Sequence, residues 1–214
     1  MRVTKCIGLG LALLLAAATP SRAQVELQLY GGAVFPLTKL ADSFAFAGAT
    51  AEGAEMSQGV IFGGSLGYLF GSWGIEANVG YWPSDQIILD TEDIGGATVD
   101  LGVRTSSNVL LASGNILYHF STPGTVNIMP YLKAGAGVIS YGTDQPLEGA
   151  LFVKTTNVMW NIGIGAKFPI SPKTALRVEV GDYMNSFDFE VEGAGTKLQH
   201  YIVATVGLSI FFGG

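Results

Sequence analysis

Residues 155–168, with the sequence TTNVMWNIGIGAKF, alternate apolar side chains with polar or small ones in a two-residue period. Successive side chains of a β-strand point to opposite faces of its sheet. One face of this stretch would carry Val158, Trp160, Ile162, Ile164, Ala166 and Phe168, and the other Asn157, Asn161, Gly163, Gly165 and Lys167. We therefore predict a strand with one face suited to lipid and the other to a polar interior.

The same alternation recurs along the chain and predicts eight strands. Each is at least as long as the ~9–11 residues that a tilted strand needs to cross a bilayer. The predicted strands cover residues 25–36, 57–70, 73–82, 107–120, 127–141, 155–168, 174–187 and 198–212.

The connections between these strands alternate in length. Short turns rich in Gly, Pro and Ser are predicted at 71–72, 121–126 and 169–173, and long polar loops at 37–56, 83–106, 142–154 and 188–197. Short turns at one end and long loops at the other are typical of outer-membrane barrels. The predicted fold is all-β, an eight-stranded up-and-down antiparallel transmembrane β-barrel.

Two other architectures fit the sequence less well. A soluble β-sandwich or lipocalin-like barrel would expose the face that here is largely glycine with a few charges. A helical membrane protein is suggested by residues 105–132, which contain no Lys, Arg, Asp or Glu, but their prolines, asparagines and serines disfavour a helix. A composition of 49% hydrophobic and 13% charged residues also excludes a disordered chain and a basic nucleic-acid-binding protein.

Aromatic residues cluster near the two ends of the predicted strands, as in the girdles that flank a membrane. At the short-turn ends lie Phe70, Trp73, Tyr118, Phe120, Phe168 and Phe212, and nearer the long loops lie Trp82, Trp160, Tyr183 and Phe187.

The N-terminal segment has the features of a secretory signal peptide. Arg2 and Lys5 precede an apolar run over residues 6–18, and Ser21 and Ala23 occupy the positions that a signal peptidase recognises. We predict a signal peptide over residues 1–23 and one barrel domain over residues 24–214. Cys6 is the only cysteine of the chain, so the mature protein would have no disulfide and no thiolate nucleophile.

The end of the last predicted strand, residues 205–212 with the sequence TVGLSIFF, looks like the C-terminal signal of bacterial outer-membrane barrels, with Thr205, Gly207, Ile210 and Phe212 at the signal positions. With 130–137 (PYLKAGAG) and 176–179 (LRVE), the chain resembles the small bacterial outer-membrane β-barrel family typified by the membrane domain of OmpA. The resemblance implies a monomer in the outer membrane of a Gram-negative-type bacterium. Its implied partners are the barrel assembly machinery, outer-membrane lipid and lipopolysaccharide.

An eight-stranded barrel has an interior just wide enough for its own side chains. The inward parity holds charges of both signs, which should pair because an isolated buried charge is prohibitively unfavourable. We predict a lumen salt-bridge network of Glu76, Lys133, Arg177 and Glu179, with Glu26, His119 and Lys167 also facing inward. Because inward glycines leave space for water, a narrow ion channel gated by this network is an alternative to a structural plug.

The long loops hold most of the negative charge, with 13 acidic and 4 basic residues. Their densest cluster is Asp90, Glu92 and Asp93, which lacks the spacing of a calcium loop. We predict neither a metal site nor a cofactor, and no nucleic-acid partner.

A lipid A-modifying enzyme is the least favoured alternative. His119 lies near the short turns on the lumen side, whereas His200 lies near the long-loop end on the lipid side. The final hairpin would bring Ser186, and less directly Asp182, beside His200. No motif fixes a nucleophile, a base and an orienting group. The predicted function is therefore non-catalytic, in envelope structure or in surface contacts made by acidic loops.

Overall fold

The structure is a computed structural model. It describes residues 24–40, 44–46, 49–51, 53–89, 91–94, 97–100, 103–121, 127–143, 155–188 and 196–213. The predicted signal peptide lies outside the described residues. Within them, no helix is long and apolar enough to cross a membrane.

The described residues form thirteen strands. In chain order these are β1 (Gln24–Pro36), β2 (Phe44–Phe46), β3 (Ala49–Ala51), β4 (Gly53–Met56), β5 (Gly59–Phe70), β6 (Trp73–Leu89), β7 (Thr91–Ile94), β8 (Ala97–Asp100), β9 (Val103–His119), β10 (Met129–Thr143), β11 (Thr155–Ser171), β12 (Thr174–Asp188) and β13 (Thr196–Phe212). Eight of them, β1, β5, β6 and β9 to β13, make the wall of a barrel.

Every wall strand pairs antiparallel with both of its neighbours, and the pairing of β1 with β13 closes the barrel. The predicted eight-stranded antiparallel barrel is therefore confirmed. The stagger of the wall follows from the paired residues met on one circuit. Starting at Glu26 on β1, each step goes from a residue to its partner on the next strand, and one full turn around the barrel returns to β1 at Pro36. The wall is therefore staggered by ten residues per turn. The partners passed on the way are Gly67, Glu76, Asn115, Gly135, Asn161, Tyr183 and Tyr201.

The two-residue alternation separates the lipid face from the lumen as predicted. On β11, Trp160 and Ile164 are 61% and 62% exposed, whereas Asn161 and Lys167 are buried inside the barrel. Apolar side chains exposed in this way on a transmembrane barrel are the surface that meets hydrocarbon.

The two ends of the barrel differ, as the connection lengths predict. At the inner end, β5 and β6 are joined at Gly71, whose φ of +66° suits a glycine, and β11 and β12 are joined at Pro172 and Lys173. Both ends of the described chain, Gln24 and Gly213, lie at this end, since β1 pairs there with β13. We call the opposite end, with the long connections, the outer end.

The predicted loops 37–56 and 83–106 are partly wrong, because both contain strands. β6 continues to Leu89 and β9 begins at Val103. The two strands stay paired up to Ile88, whose partner is Val103. The polar residues Ser84, Asp85 and Gln86 caused the prediction to end too early. A barrel wall that continues above the bilayer can carry polar residues on its outer surface without leaving the β conformation.

The lumen is not polar throughout, which corrects the prediction of a uniformly polar interior. Its inner half holds the charged side chains, whereas its outer half holds a buried apolar cluster together with the amides of Asn185 and Gln199. This cluster, the outer apolar layer, consists of Val34, Leu40, Ala54, Met56, Ile61, Trp82, Val109, Leu111, Ile139, Tyr141, Met159, Tyr183, Tyr201 and Val203.

Two aromatic residues of the predicted outer girdle belong to this layer instead. Trp82 and Tyr183 are only 1% and 5% exposed, so their assignment to the lipid surface was wrong. Their strand parity, which they share with Glu76 and Glu179, places them in the lumen. Trp160 does face lipid, and Tyr81, at 44% exposed, takes the outward position next to Trp82.

At two of the inward glycines, Gly63 and Gly165, tyrosine side chains occupy the space that was expected to hold water. A Cβ on Gly63 would overlap the Tyr30 hydroxyl, and one on Gly165 would overlap the Tyr131 hydroxyl. Glycine is therefore required where a ring lies against the wall.

Replacing Gly165 by alanine tests this packing. The Tyr131 ring cannot yield easily, because its hydroxyl is hydrogen-bonded to Arg177 and Glu179. We expect Gly165→Ala to lower the free energy of unfolding by about 1–3 kcal/mol, as overpacking does in other cores. The measurement is urea unfolding of the refolded protein in lipid vesicles.

Gly114→Ala is the matched control, since Gly114 lies on another wall strand and a Cβ added there would have no other atom within 4 Å. It should leave the unfolding midpoint unchanged. Equal midpoints for both variants would contradict the packing of Tyr131 over Gly165.

Candidate functional site

Six charged side chains meet in the inner half of the lumen, on strands from all sides of the barrel. They face inward because each occupies the lumen position of the two-residue alternation. Three are acidic and three basic, and together they form the lumen charge network: Glu26 on β1, Glu76 on β6, Lys133 on β10, Lys167 on β11, and Arg177 and Glu179 on β12.

Arg177 is the centre of the network. Its Nη1 lies 2.5 Å from Glu76 Oε2 and 3.7 Å from Glu26 Oε1, and its Nη2 lies 2.6 Å from Glu179 Oε2. Its Nε donates a hydrogen bond of 2.6 Å to the Tyr131 hydroxyl. One guanidinium group therefore joins three carboxylates on three strands, a role that suits its five donors.

The two lysines complete the pairing of the acidic residues. Lys133 forms an ion pair with Glu179 and lies 3.2 Å from the Tyr183 hydroxyl. Lys167 Nζ lies 2.5 Å from Glu26 Oε2. Each of the six charges thus has at least one opposite charge in contact.

Neutral side chains satisfy the remaining carboxylate oxygens. The Ser209 hydroxyl donates to Glu26 at 2.6 Å, and the Tyr131 hydroxyl donates to Glu179 at 2.6 Å. Glu76 accepts hydrogen bonds from the Ser65 hydroxyl and the Asn115 amide, at 3.1 and 3.2 Å. A buried ion pair is tolerable when its remaining lone pairs find donors in this way.

The structure brings together the four residues that the sequence suggested, Glu76, Lys133, Arg177 and Glu179. The sequence placed Glu26 and Lys167 on the lumen side but not in the network. The balance of charge gave no reason to add Glu26 and Lys167, because the net charge of the four suggested residues is already zero. Only the stagger of the wall shows that Glu26, on the first strand, meets Lys167, 141 residues later.

The site is a closed, neutral cross-link between strands. It offers no open carboxylate set for a cation, and the part of the chain that is described contains no group of three or more His, Cys, Asp or Glu residues able to hold a metal. His119 lies inside the barrel near the network, with its ring centroid 5.5 Å from that of Tyr131.

A second polar group lies on the outside of the barrel. Asp182 Oδ2 is 2.8 Å from His200 Nδ1, across the pairing of β12 with β13. Ser186 makes no hydrogen bond to His200 within the described residues. In register His200 lies opposite Met184, so Ser186 and Asp182 are each one diagonal step away, and the residue that contacts the imidazole is Asp182 and not Ser186.

The four residues of the suggested C-terminal signal divide between the two faces of β13. Thr205 and Gly207 face the lumen, whereas Ile210 and Phe212 are 37% and 52% exposed on the lipid side. Phe212 pairs with Val25, where β13 closes the barrel against β1. Their role in assembly stays a prediction.

The family described as "Outer membrane protein beta-barrel domain" matches residues 9–209 of the chain. The chain belongs to this family. This outer-membrane barrel is thus an integral protein of a Gram-negative-type outer membrane. No curated protein sequence is significantly similar to it.

Solved structures of similar shape are also outer-membrane proteins. OprG of Pseudomonas aeruginosa superposes with a TM-score of 0.61 at 12% identity, over 92% of this chain and 99% of OprG. AlkL, determined in lipid bilayers, superposes with a TM-score of 0.54 at 14% identity, over 92% of this chain and 94% of AlkL. At these identities the likeness concerns the fold alone.

Replacing Arg177 by methionine tests the network. The change leaves Glu76 and Glu179 buried without their strongest partner, and removing one member of a buried ion pair costs about 3–5 kcal/mol. We expect a matching loss in the free energy of unfolding, measured by urea titration in lipid vesicles.

The double variant Arg177→Met/Glu76→Gln restores charge neutrality and should recover part of this loss. Lys173→Met, in the exposed inner turn, is the control and should have no effect. An Arg177→Met protein as stable as the wild type would contradict the role of Arg177.

Proposed function

We propose that this outer-membrane barrel is non-catalytic and has a closed lumen, so that its contacts are made from its outer surface. It would act in envelope structure or in surface interactions through its acidic outer connections. The single observation that carries the proposal is the lumen charge network, which is neutral and paired throughout.

Three successive layers support closure. Leu69, Ala175 and Phe211 form a buried apolar floor at the inner end. The charge network lies above this floor, and the outer apolar layer lies above the network, with Trp82 and Tyr201 in edge-to-face contact at 5.5 Å between ring centroids. A hydrated ion would have to separate buried ion pairs and then cross an apolar layer.

A narrow ion channel gated by the same network is the competing function. It requires the paired groups to separate reversibly, so that neutralising one of them would alter conduction. A closed structural plug has no such requirement.

Conductance in planar bilayers separates the two functions. We expect the refolded wild type and the variants Glu76→Gln and Arg177→Gln to show no discrete openings, because the apolar layers remain in all three. A porin inserted in the same bilayer is the control for detection. Openings whose conductance changes in either variant would establish the channel instead.

The acidic outer connections are the proposed contact surface. Loops 37–56, 83–106, 142–154 and 188–197 hold 13 of the 17 acidic residues of the chain. Glu92 and Asp93 lie on β7 of the hairpin formed with β8, and Asp90 lies outside the described residues. A dense acidic surface attracts cationic partners with a strength that falls as salt increases.

Neutralising this hairpin tests the contact surface. We expect Asp90→Asn/Glu92→Gln/Asp93→Asn to reduce adhesion of proteoliposomes to polylysine-coated beads severalfold at low salt. The wild-type advantage should vanish near 1 M salt, where charges are screened beyond ~3 Å. Unchanged adhesion at low salt would contradict a role for this cluster.

Other partners belong to the same proposal. Each of the eight wall strands is paired on both sides, so the wall itself offers no open edge to a second copy, which favours a monomer. Outer-membrane lipid and lipopolysaccharide would surround the wall, and the assembly machinery would recognise the C-terminal strand during insertion.

A further inference from the structure

The first wall strand begins at the residue that follows the predicted cleavage site. Ser21 and Ala23 occupy the positions that a signal peptidase recognises, and β1 begins at Gln24. Cleavage there would make Gln24 the N-terminal residue of the mature protein, with a free α-amine. This amine would lie at the first residue of the barrel wall.

Gln24 lies at the inner end of the barrel, on the lumen side of β1. It pairs with Leu69 of β5, and it shares the parity of Glu26 and Gln28, which are each only 2% exposed. Gln24 itself is half-buried. Its side-chain amide makes no hydrogen bond to any residue that the structure describes. No such bond therefore holds the amide away from an α-amine on the same residue.

A free α-amine at Gln24 would add an unmatched charge to the inner end. Most of this amine would be protonated at neutral pH. Leu69, the partner of Gln24, belongs to the apolar floor with Ala175 and Phe211, and the lumen charge network above the floor is already neutral. A charge is unfavourable beside apolar groups unless water or an opposite charge compensates it. Conversion of the amine into an amide removes this charge.

We propose that Gln24 is a modification site, converted into N-terminal pyroglutamate after cleavage of the signal peptide. The unprotonated α-amine attacks the side-chain carbonyl carbon Cδ, and the bond between Cδ and Nε2 breaks. The amide nitrogen leaves as ammonia, with the proton that the amine loses. The five-membered lactam forms without an oxidant or a second substrate. The proposal rests on the predicted cleavage site, and it does not depend on the lumen being closed.

The lactam would protect the first strand from the N-terminal side. Aminopeptidases require a free α-amine, which pyroglutamate lacks. Only Gln24 and Val25 precede Glu26 in the predicted mature chain. The Glu26 carboxylate contacts Lys167 and lies 3.7 Å from Arg177. Trimming through Glu26 would leave Lys167 buried without its acidic partner, which is strongly destabilising.

Mass spectrometry of the intact protein tests the modification. The chain is produced with its own signal peptide in a Gram-negative host and extracted from the outer membrane. A synthetic peptide of residues 24–39 with a free Gln24 amine is carried through the same preparation, and it measures cyclisation during handling. Gln24→Ala is the matched control, because alanine has no side-chain amide to cyclise.

We expect nearly all wild-type molecules to be lighter than the chain of residues 24–214 by the mass of one ammonia. The Gln24→Ala protein should have the full mass of its own residues 24–214, and the synthetic peptide should stay mostly uncyclised. A wild-type protein with a free Gln24 amine would overturn the proposal, as would cyclisation of the peptide to the same extent. A Gln24→Ala chain that begins at another residue would overturn it through the cleavage site.

An aminopeptidase digest of the two folded proteins tests the protective role. We expect Gln24→Ala to lose N-terminal residues severalfold faster than the wild type, because only the variant has a free α-amine. Removal of the lactam from the wild type with a pyroglutamate-specific aminopeptidase should raise its rate of trimming to that of the variant. Equal trimming of the two untreated proteins would overturn the protective role.

Discussion

Arg177 is a full positive charge buried in a barrel whose outer surface faces lipid, and it is tolerated only because three carboxylates reach it. Its contacts with Glu76, Glu179 and Glu26 span three wall strands. Those carboxylates in turn require the two lysines, so that no member of the set can be removed without leaving a buried charge. The register between the wall strands must therefore be one that brings these charged side chains into contact.

The lumen changes character along the axis of the barrel. Ion pairs cross-link the inner half, whereas the outer half is packed mainly with aromatic and aliphatic side chains, with Leu40 and Met56 contributed by the first long connection and with the amides of Asn185 and Gln199 among them. Tyr183 joins the two regions, because it belongs to the apolar layer yet contacts Lys133 through its hydroxyl. Gly63 and Gly165 belong to the same packing, since they give tyrosine rings room against the wall. A barrel filled in this way leaves its outer surface and its connections as the places for specific contacts.

The fold was predictable because the alternation of side chains is local. Residues 155–168 show it directly, and the alternating lengths of the connections supplied the topology. Parity alone also placed Glu76, Lys133, Arg177 and Glu179 in the lumen. The ends of β6 and β9 were missed, because polar residues in a wall that rises above the bilayer resemble loop residues.

Side-chain contacts across the lumen and between strands were harder to predict from the sequence, because they depend on strand register. The meeting of Glu26 with Lys167 and that of Asp182 with His200 follow from how far each strand is shifted against the next, and no local pattern encodes that shift. The apolar outer layer is different, since the parity of Trp82 and Tyr183 already indicated the lumen and their position near the long loops was given too much weight.

The most direct test of the closed lumen is the reactivity of a cysteine placed inside it. Cys6 is the only native cysteine, and in a Cys6→Ser background Ser113→Cys puts a thiol in the lumen above the charge network, where Ser113 pairs with Asn78 and Gly137. Ser171→Cys, at the exposed end of β11 beside the inner turn, is the reference. With a small charged methanethiosulfonate, we expect the lumen cysteine to react at least a hundredfold more slowly than the reference until the protein is unfolded. Comparable rates in the folded protein would show a water-filled path and contradict a closed lumen.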